Sequence, residues 1–348
     1  MKERIIFNRK FWELTGCIHN HTEYSYDSKA SMKKVIKAAR VNNLDYFTIN
    51  DHRAMDALKD DEYKKEKDIK IIVGCEINDN NNKNHLLVFG SNRIITGSDA
   101  QYYTKEYMSE NATTFVAHPI EKRANDEFPT YEWTDLDNSN FTGLEIWNFM
   151  SQWISKLKRK RNGLILVLMP NLVVRKPFQE ILGYWDKLNL AGLRKSAVGS
   201  VDAHEQHHRF LGINVNFLSH KFLFKTIRTN ILIPNDAAVT QENIIKALAN
   251  GNSYIVNYRC GIPYNFYAGI SDKKNEAIFG EDIKFNKDLR LYYRLPTICK
   301  VKLLCNGKVV DSQKDDKGIF KIKAAGNYRL EIYKNWRGWI YTNNIYVY

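Results

Sequence analysis

Short apolar runs recur through the first part of the chain, and each has a polar side chain at one end. The runs are Cys17–His21, Asp45–His52, Lys70–Glu76, His85–Gly90, Thr113–His118, Gly143–Asn148 and Ala197–His204. Continuous apolar runs alternating with helical stretches predict buried, mainly parallel strands covered by helices on their outer face. Met32, Val35, Ile36 and Ala39 form one stripe of a helix between Ser31 and Asn42. Leu182 and Trp185 mark a second helix, Phe178–Leu188, just after Pro177, and a third, Gln241–Asn250, ends at Gly251. A barrel of parallel strands gathers its C-terminal strand ends around one mouth, where functional side chains belong. Six of the runs close on their polar residue. His85 opens its run and must reach the mouth from another direction.

After Ile262 the texture changes. Ile283–Tyr293, Lys300–Val310, Phe320–Ile322, Tyr328–Tyr333 and Trp339–Tyr348 are alternating segments rich in Tyr, Ile and Val, with turns at Asn306-Gly307 and Ala325-Gly326-Asn327. The expectation is an α/β chain: a (β/α) barrel over residues 1–262, then a small antiparallel β-sandwich over 263–348.

Composition narrows this further. The 348 residues are 44% hydrophobic and 26% charged, a globular balance that excludes disordered, collagen-like and coiled-coil chains. The longest apolar run, Leu164 to Met169, is far below the roughly 20 residues of a membrane helix. Met1-Lys2-Glu3-Arg4 opens no secretory signal, so a cytoplasmic location without membrane contact is expected. The five cysteines form no C-x-x-C pair and are expected as buried free thiols. The 52 Lys+Arg exceed the 39 Asp+Glu, giving +13, and residues 263–348 hold 16 basic against 9 acidic side chains. This surplus suits either a lysine-rich solvated surface or a polyanionic partner such as nucleic acid. The sequence carries no mark of a particular oligomeric state.

Six of the nine histidines, His19, His21, His52, His85, His118 and His204, fall in or at the ends of the apolar runs. His19 and His21 are spaced i, i+2, which on a strand turns both imidazoles to one face; Asp202 and His204 repeat the spacing. Glu76 closes the third run, and Asp51 precedes His52. Imidazole and carboxylate donors suit Zn, Mn or Fe, and so many of them imply more than one ion.

Gly16-Cys-Ile-His-Asn-His-Thr-Glu-Tyr-Ser-Tyr-Asp27, Thr48-Ile-Asn-Asp-His52, Gly74-Cys-Glu76, Ala117-His-Pro119 and Gly199-Ser-Val-Asp-Ala-His204 resemble, in order, the motifs of the PHP (polymerase and histidinol phosphatase) superfamily. The match spans residues 14–260. Gly143–Asn148, Phe224–Leu232 and Ala247–Tyr254 resemble the carbaryl-hydrolase-like (CehA/McbA) branch, whose members often carry a β-rich tail. The resemblance implies a distorted seven-stranded barrel holding two or three divalent ions. It places the first with His19, His21, Glu76 and Asp202, the second with Glu76, His118 and His85, and the third with Asp27, His52 and His204. The sequence departs from the family where Asn50 stands for its Thr and Val201 precedes Asp202; neither change removes a donor.

Clustered cations would supply an activated water and charge neutralisation for hydrolysis of a phosphate ester, with Glu76 and Asp202 at the reaction centre and Arg53 and Arg209 placed to grip an anionic oxygen. Either arginine also suits a plain surface ion pair. Asp51 is expected to orient a ligand imidazole, and Asn148 to bond substrate or a ligand. Tyr24, Tyr26, Trp147 and Trp153 lie near the motifs, with core packing the default for Trp147. Lys156–Arg161 reads as a solvated loop or a nucleic-acid patch. Three hydrolase readings follow: a phosphoesterase for a small phosphorylated molecule or nucleotide, a nuclease or polynucleotide phosphatase, and a hydrolase of a non-phosphate ester or carbamate. Beside them stands a non-catalytic metal-binding module.

Overall fold

Each of the seven runs becomes one strand of a closed barrel. The structure is a computed structural model and describes residues 1–159, 166, 169, 173–205, 208–210, 213–215 and 218–348, the segments 208–210 and 213–215 by backbone alone. A first strand, β1 (Lys2–Ile6), pairs back onto β2 (Arg9–Asn20). The barrel then runs through β2, β3 (Tyr46–His52), β4 (Lys70–Ile77), β5 (Leu86–Phe89), β6 (Thr113–Val116), β7 (Gly143–Asn148) and β8 (Ser196–Ala203), and β8 closes it on β2. All neighbours are parallel except β5, which is antiparallel to both β4 and β6. Its N-terminal end therefore lies beside the C-terminal ends of the others, and His85, just before it, reaches the mouth by that route.

The helices form where periodicity places them. Met32–Val41 buries Met32, Val35, Ile36 and Ala39 against the barrel. Gln179–Leu190 buries Leu182 and Trp185, two residues longer at its end than the sequence suggests. Gln241–Asn250 is capped at its start by the Thr240 side chain and ends at Gly251, whose φ of 73° is one that glycine adopts without strain. This helix packs on the end of the barrel opposite the mouth, where Ile244, Ala247 and Leu248 join Leu14, Ile72, Phe115 and Val198 in one apolar cluster. The barrel is plugged by hydrocarbon at that end and open to polar chemistry at the other.

The C-terminal strands differ in extent from the expectation. Two of the expected strands merge into one, Arg290–Cys305, broken in register between Arg294 and Cys299. Its partner is Lys308–Lys321, and a further strand, Tyr267–Ser271, precedes both. These strands have their own apolar cluster, but Ile6, Phe11, Leu232, Tyr254 and Val256 from the earlier chain belong to it. The hydrogen-bonded ladder is also continuous, because Arg337–Thr342 pairs with Ser253–Asn257, and that strand pairs through Ile227–Pro234 to β2. All five cysteines are free, with Cys17, Cys75 and Cys299 buried. Among the described residues no helix is long and apolar enough to cross a membrane.

Candidate metal centre

The backbone at the mouth is unusual. His19, Arg53, His118 and Asp202 have φ of 67°, 50°, 28° and 53°, values L-residues rarely adopt. Such conformations persist only where surrounding structure imposes them, and they gather at functional sites. The β2–β8 ladder slips between Ile18 and Asn20, at the level of His19 and Asp202. His19 and His21 therefore converge through a bulge and a left-handed residue, not through simple strand alternation.

Glu76 is the hub. Its Oε1 lies 2.7 Å from His85 Nδ1 and 3.3 Å from His118 Nε2. Its Oε2 lies 3.0 Å from His19 Nε2, 3.3 Å from His21 Nε2 and 3.4 Å from His52 Nδ1. Asp202 Oδ1 stands 3.4 Å from His19 Nε2, 3.5 Å from His21 Nε2 and 3.3 Å from His204 Nδ1. Asp27 Oδ2 is 3.2 Å from His52 Nε2 and 3.1 Å from His204 Nε2. All nine residues thus meet in one cluster. Among the described residues three groups have donor atoms mutually within 4.8 Å: His19, His21 and Glu76; His52, Glu76 and His85; and His21, Asp27, His52 and His204. His21 and His52 each serve two groups, and His118 reaches the cluster through Glu76.

Burial alone would protonate these carboxyls, yet the histidines outweigh it. His19, His52 and His85 hold Glu76 well below the carboxylate range, His19 and His204 do the same for Asp202, and His204 and His52 for Asp27. In return burial lowers His118 and His204, but their carboxylate neighbours raise both to about 9. Burial, with His204 beside it, takes His21 down to about 4, and burial also lowers His85. The buried Nε2 of His21, Nδ1 of His52 and Nε2 of His85 have no hydrogen-bond partner. Orphaned imidazole nitrogens among anionic oxygens are what a divalent cation would satisfy, so the donor set fits Zn, Mn or Fe.

Sequence reasoning passed over Glu145. This fully buried carboxylate in the middle of β7 accepts from His19 Nδ1 at 2.8 Å, from the His118 amide at 2.8 Å and from Asn148 Nδ2 at 2.9 Å. The available signal was an acidic residue at an inward position of an apolar strand, Gly-Leu-Glu-Ile-Trp-Asn. Asn148 bonds this carboxylate and caps the helix Phe149–Ile154 through the Ser151 amide. Asp51 holds the Thr22 amide at 2.5 Å and the Thr22 hydroxyl at 2.7 Å, pinning the turn that carries His21; no described imidazole bonds to it. Its expected role as an imidazole-orienting residue thus passes to Glu145.

Arg53 is exposed at the rim, with its amide on the Glu76 carbonyl at 2.8 Å. The side chain of Arg209 lies outside the described residues, as do residues 160 and 161 of the basic run. Trp147 is core, bonded to Gln152. Tyr24 donates to Asp60, while the Tyr26 ring, 72% exposed, stacks on His52 with centroids 5.0 Å apart. Trp153 is half-buried against the barrel core.

Comparison with known proteins gives a family match over part of the chain. The PHP domain matches residues 18–127 of the chain. No curated protein matches the sequence. Among solved structures, a two-domain protein from Bacteroides vulgatus ATCC 8482 containing a predicted PHP-like metal-dependent phosphoesterase is similar at 14% identity, with a TM-score of 0.47, covering 96% of this chain and 95% of that one. An endonuclease Q in complex with a 27-mer duplex bearing an abasic lesion is similar at 13% identity, with a TM-score of 0.39, covering 74% of this chain and 63% of that one.

Proposed function

We propose that this protein is a PHP-type metal-dependent phosphoesterase that hydrolyses a phosphate ester at a site for two or three divalent ions. The observation that carries the reading is Glu76, one buried carboxylate with nitrogens of five histidines within 3.4 Å. His19, His21, Glu76 and Asp202 would hold one ion, Glu76, His85 and His118 a second, and Asp27, His52 and His204 a third. When bound, such ions supply an activated water and neutralise charge developing on a phosphoryl group.

The remaining work falls to the chain. Glu145 keeps the proton of His19 on Nδ1, which leaves Nε2 as the donor facing the cluster. The Glu145–His118 amide bond fixes the left-handed turn that aims His118 at Glu76. Arg53, next to His52, offers a guanidinium to non-bridging oxygens at the rim.

Purified protein supplied with Mn²⁺ is expected to hydrolyse p-nitrophenyl phosphate or members of a nucleotide panel, and the His19→Ala variant is not. Activity surviving that change would reject the assignment. The basic surplus of the chain favours, as a second reading, a nuclease or polynucleotide phosphatase. The finer resemblance to the carbaryl-hydrolase-like branch adds carbamates and other non-phosphate esters to the substrate panel. Residues 263–348 contain no histidine, and we read them as a unit that supports the barrel and its substrate without supplying the chemistry.

A further inference from the structure

One turn of the C-terminal strands sits at the mouth end of the barrel and carries a cluster of cations around an exposed tryptophan. Ile227–Pro234 runs antiparallel to β2, and Ser253–Asn257 antiparallel to it, so Asn257 lies at the mouth end. Arg337–Thr342 is antiparallel to Ser253–Asn257 and therefore starts at that same end. The Lys334–Arg337 turn thus faces the mouth side, with Trp336 54% exposed. The Arg175 guanidinium lies 4.6 Å from the Trp336 ring centre and that of Arg337 5.3 Å, while Lys334 lies 5.1 Å from the Trp339 ring. Exposed Arg259 follows Asn257 on the same side. Burial pushes the Cys260 thiol up, and the charges of Arg337, Lys334 and Arg259 all pull against it.

Hydrogen bonds lead from the patch to Gln152, which shares a cavity with two residues of the metal centre. The Gly338 amide donates to the Arg175 carbonyl at 2.8 Å, and Gln152 donates to the Lys176 carbonyl. Gln152 in turn lines the small cavity that His118 and Glu145 also line. Among the described residues neither Lys334 nor Arg337 has a carboxylate partner, and the buried Nε of Arg337 has no hydrogen bond. An indole face holds a guanidinium by cation–π attraction, and the planar fork of arginine matches phosphate oxygens in pairs.

We propose that Arg175, Arg259, Lys334, Trp336 and Arg337 form a docking surface for the sugar-phosphate backbone of single-stranded nucleic acid, one phosphate of which enters the metal centre. A chain of regularly spaced phosphates engages centre and patch together, whereas a single phosphate engages one of them. A strand without a pairing partner can thread a phosphate among recessed side chains and lay an unstacked base against the exposed indole. A flat anionic membrane cannot reach the recess. The proposal rests on the phosphoesterase reading for the fate of that phosphate, but binding is measurable without it.

The test is fluorescence anisotropy of a fluorescein-labelled oligothymidylate with chelator present, beside p-nitrophenyl phosphate turnover with Mn²⁺. Wild-type binding is expected to weaken steeply with salt. The double variant Arg175→Glu, Arg337→Glu should bind roughly tenfold or more weakly, with a log K against log salt slope shallower by about 1.4. Trp336→Ala should also weaken binding roughly tenfold. Lys64→Glu with Lys67→Glu, an equal charge change beyond the far end of the barrel, should leave binding unaltered. Arg175→Ala alone serves if the double variant folds poorly. Turnover of p-nitrophenyl phosphate should be the same in all of these variants. No oligonucleotide binding at low salt, equal losses in patch and control variants, or binding confined to phosphatidylserine vesicles would overturn the proposal. Oligonucleotide binding without turnover of any phosphate ester would instead remove the phosphoesterase reading and leave the patch.

Discussion

Glu145 Oε1 accepts the His19 Nδ1 proton at 2.8 Å while its Oε2 accepts the His118 amide at 2.8 Å, so one buried carboxylate aims two histidines, one on β2 and one just past β6. A partner that fixes the tautomer and plane of a ligand imidazole commonly accounts for a factor of about 10–100 in metal affinity. Glu145→Ala should therefore weaken Mn²⁺ binding by roughly that factor, measured by competition against a chelator. Unchanged affinity would show that β7 contributes only packing.

Glu76→Gln keeps the size of the hub and removes its charge. Elemental analysis should find fewer ions per chain in the variant than in the wild type. Mn²⁺ should also raise the melting temperature of the wild type, by mass action worth about 2.7 kcal/mol at a hundredfold excess over the dissociation constant, and do so far less in the variant. Equal ion content in the two proteins would contradict the bridging role.

His118 and His204, beside a His19 that, against its burial, Asp202, Glu76 and Glu145 hold well above the ordinary range, shape the pH behaviour of the metal-free protein. Burial lowers each, but Glu76 bonded to His118 and Asp202 beside His204 raise both to about 9 from an ordinary 6.5. A folded-state pKa above the unfolded one contributes stability that is complete below 6.5 and vanishes as pH climbs to about 9. The melting temperature of metal-free protein should fall across that window. Metal binding must displace the same protons, so affinity should rise over it, and calorimetry in buffers of different ionisation enthalpy should detect proton release. His21, near 4, titrates outside the window. A flat melting profile would refute this account.

Arg329 ties the C-terminal strands to the helix Gln179–Leu190 of the barrel. It is buried on the C-terminal strands, donates to Asp186 of the helix Gln179–Leu190 at 2.7 and 3.1 Å, to Glu331 at 2.5 Å, and lies over the Trp185 ring. Removing one partner from a buried ionic network leaves charge uncompensated and costs about 3–5 kcal/mol. Arg329→Ala should lower the thermal and urea midpoints accordingly while folded protein keeps its turnover. A midpoint within error of the wild type would mean that water already solvates this network.

Much of the architecture is legible in the sequence. Seven apolar runs became seven barrel strands because runs this short, set between helical stretches, suit strands buried on both faces. Gly251 ended the helix Gln241–Asn250, and the reversed position of His85 in its run corresponds to the antiparallel strand β5. The nine candidate ligands were legible too, since imidazoles and carboxylates at the ends of buried strands contradict the composition of a core.

The rest depended on contacts between residues far apart in the chain. Glu145 gives no local sign of the histidines it holds, because they come from β2 and the segment after β6. The convergence of His19 and Asp202 needed a slipped register and two left-handed residues, which only the neighbouring strand can impose. Ile6 and Phe11 packing with the C-terminal strands, and Ser253–Asn257 carrying the ladder across to them, likewise follow from pairing between distant segments. Periodicity and residue type are local properties, so the chain alone determined its elements and its inventory of donors. Register, strand order and the orientation of each donor are set by the closure of the barrel, and only the tertiary structure decided them.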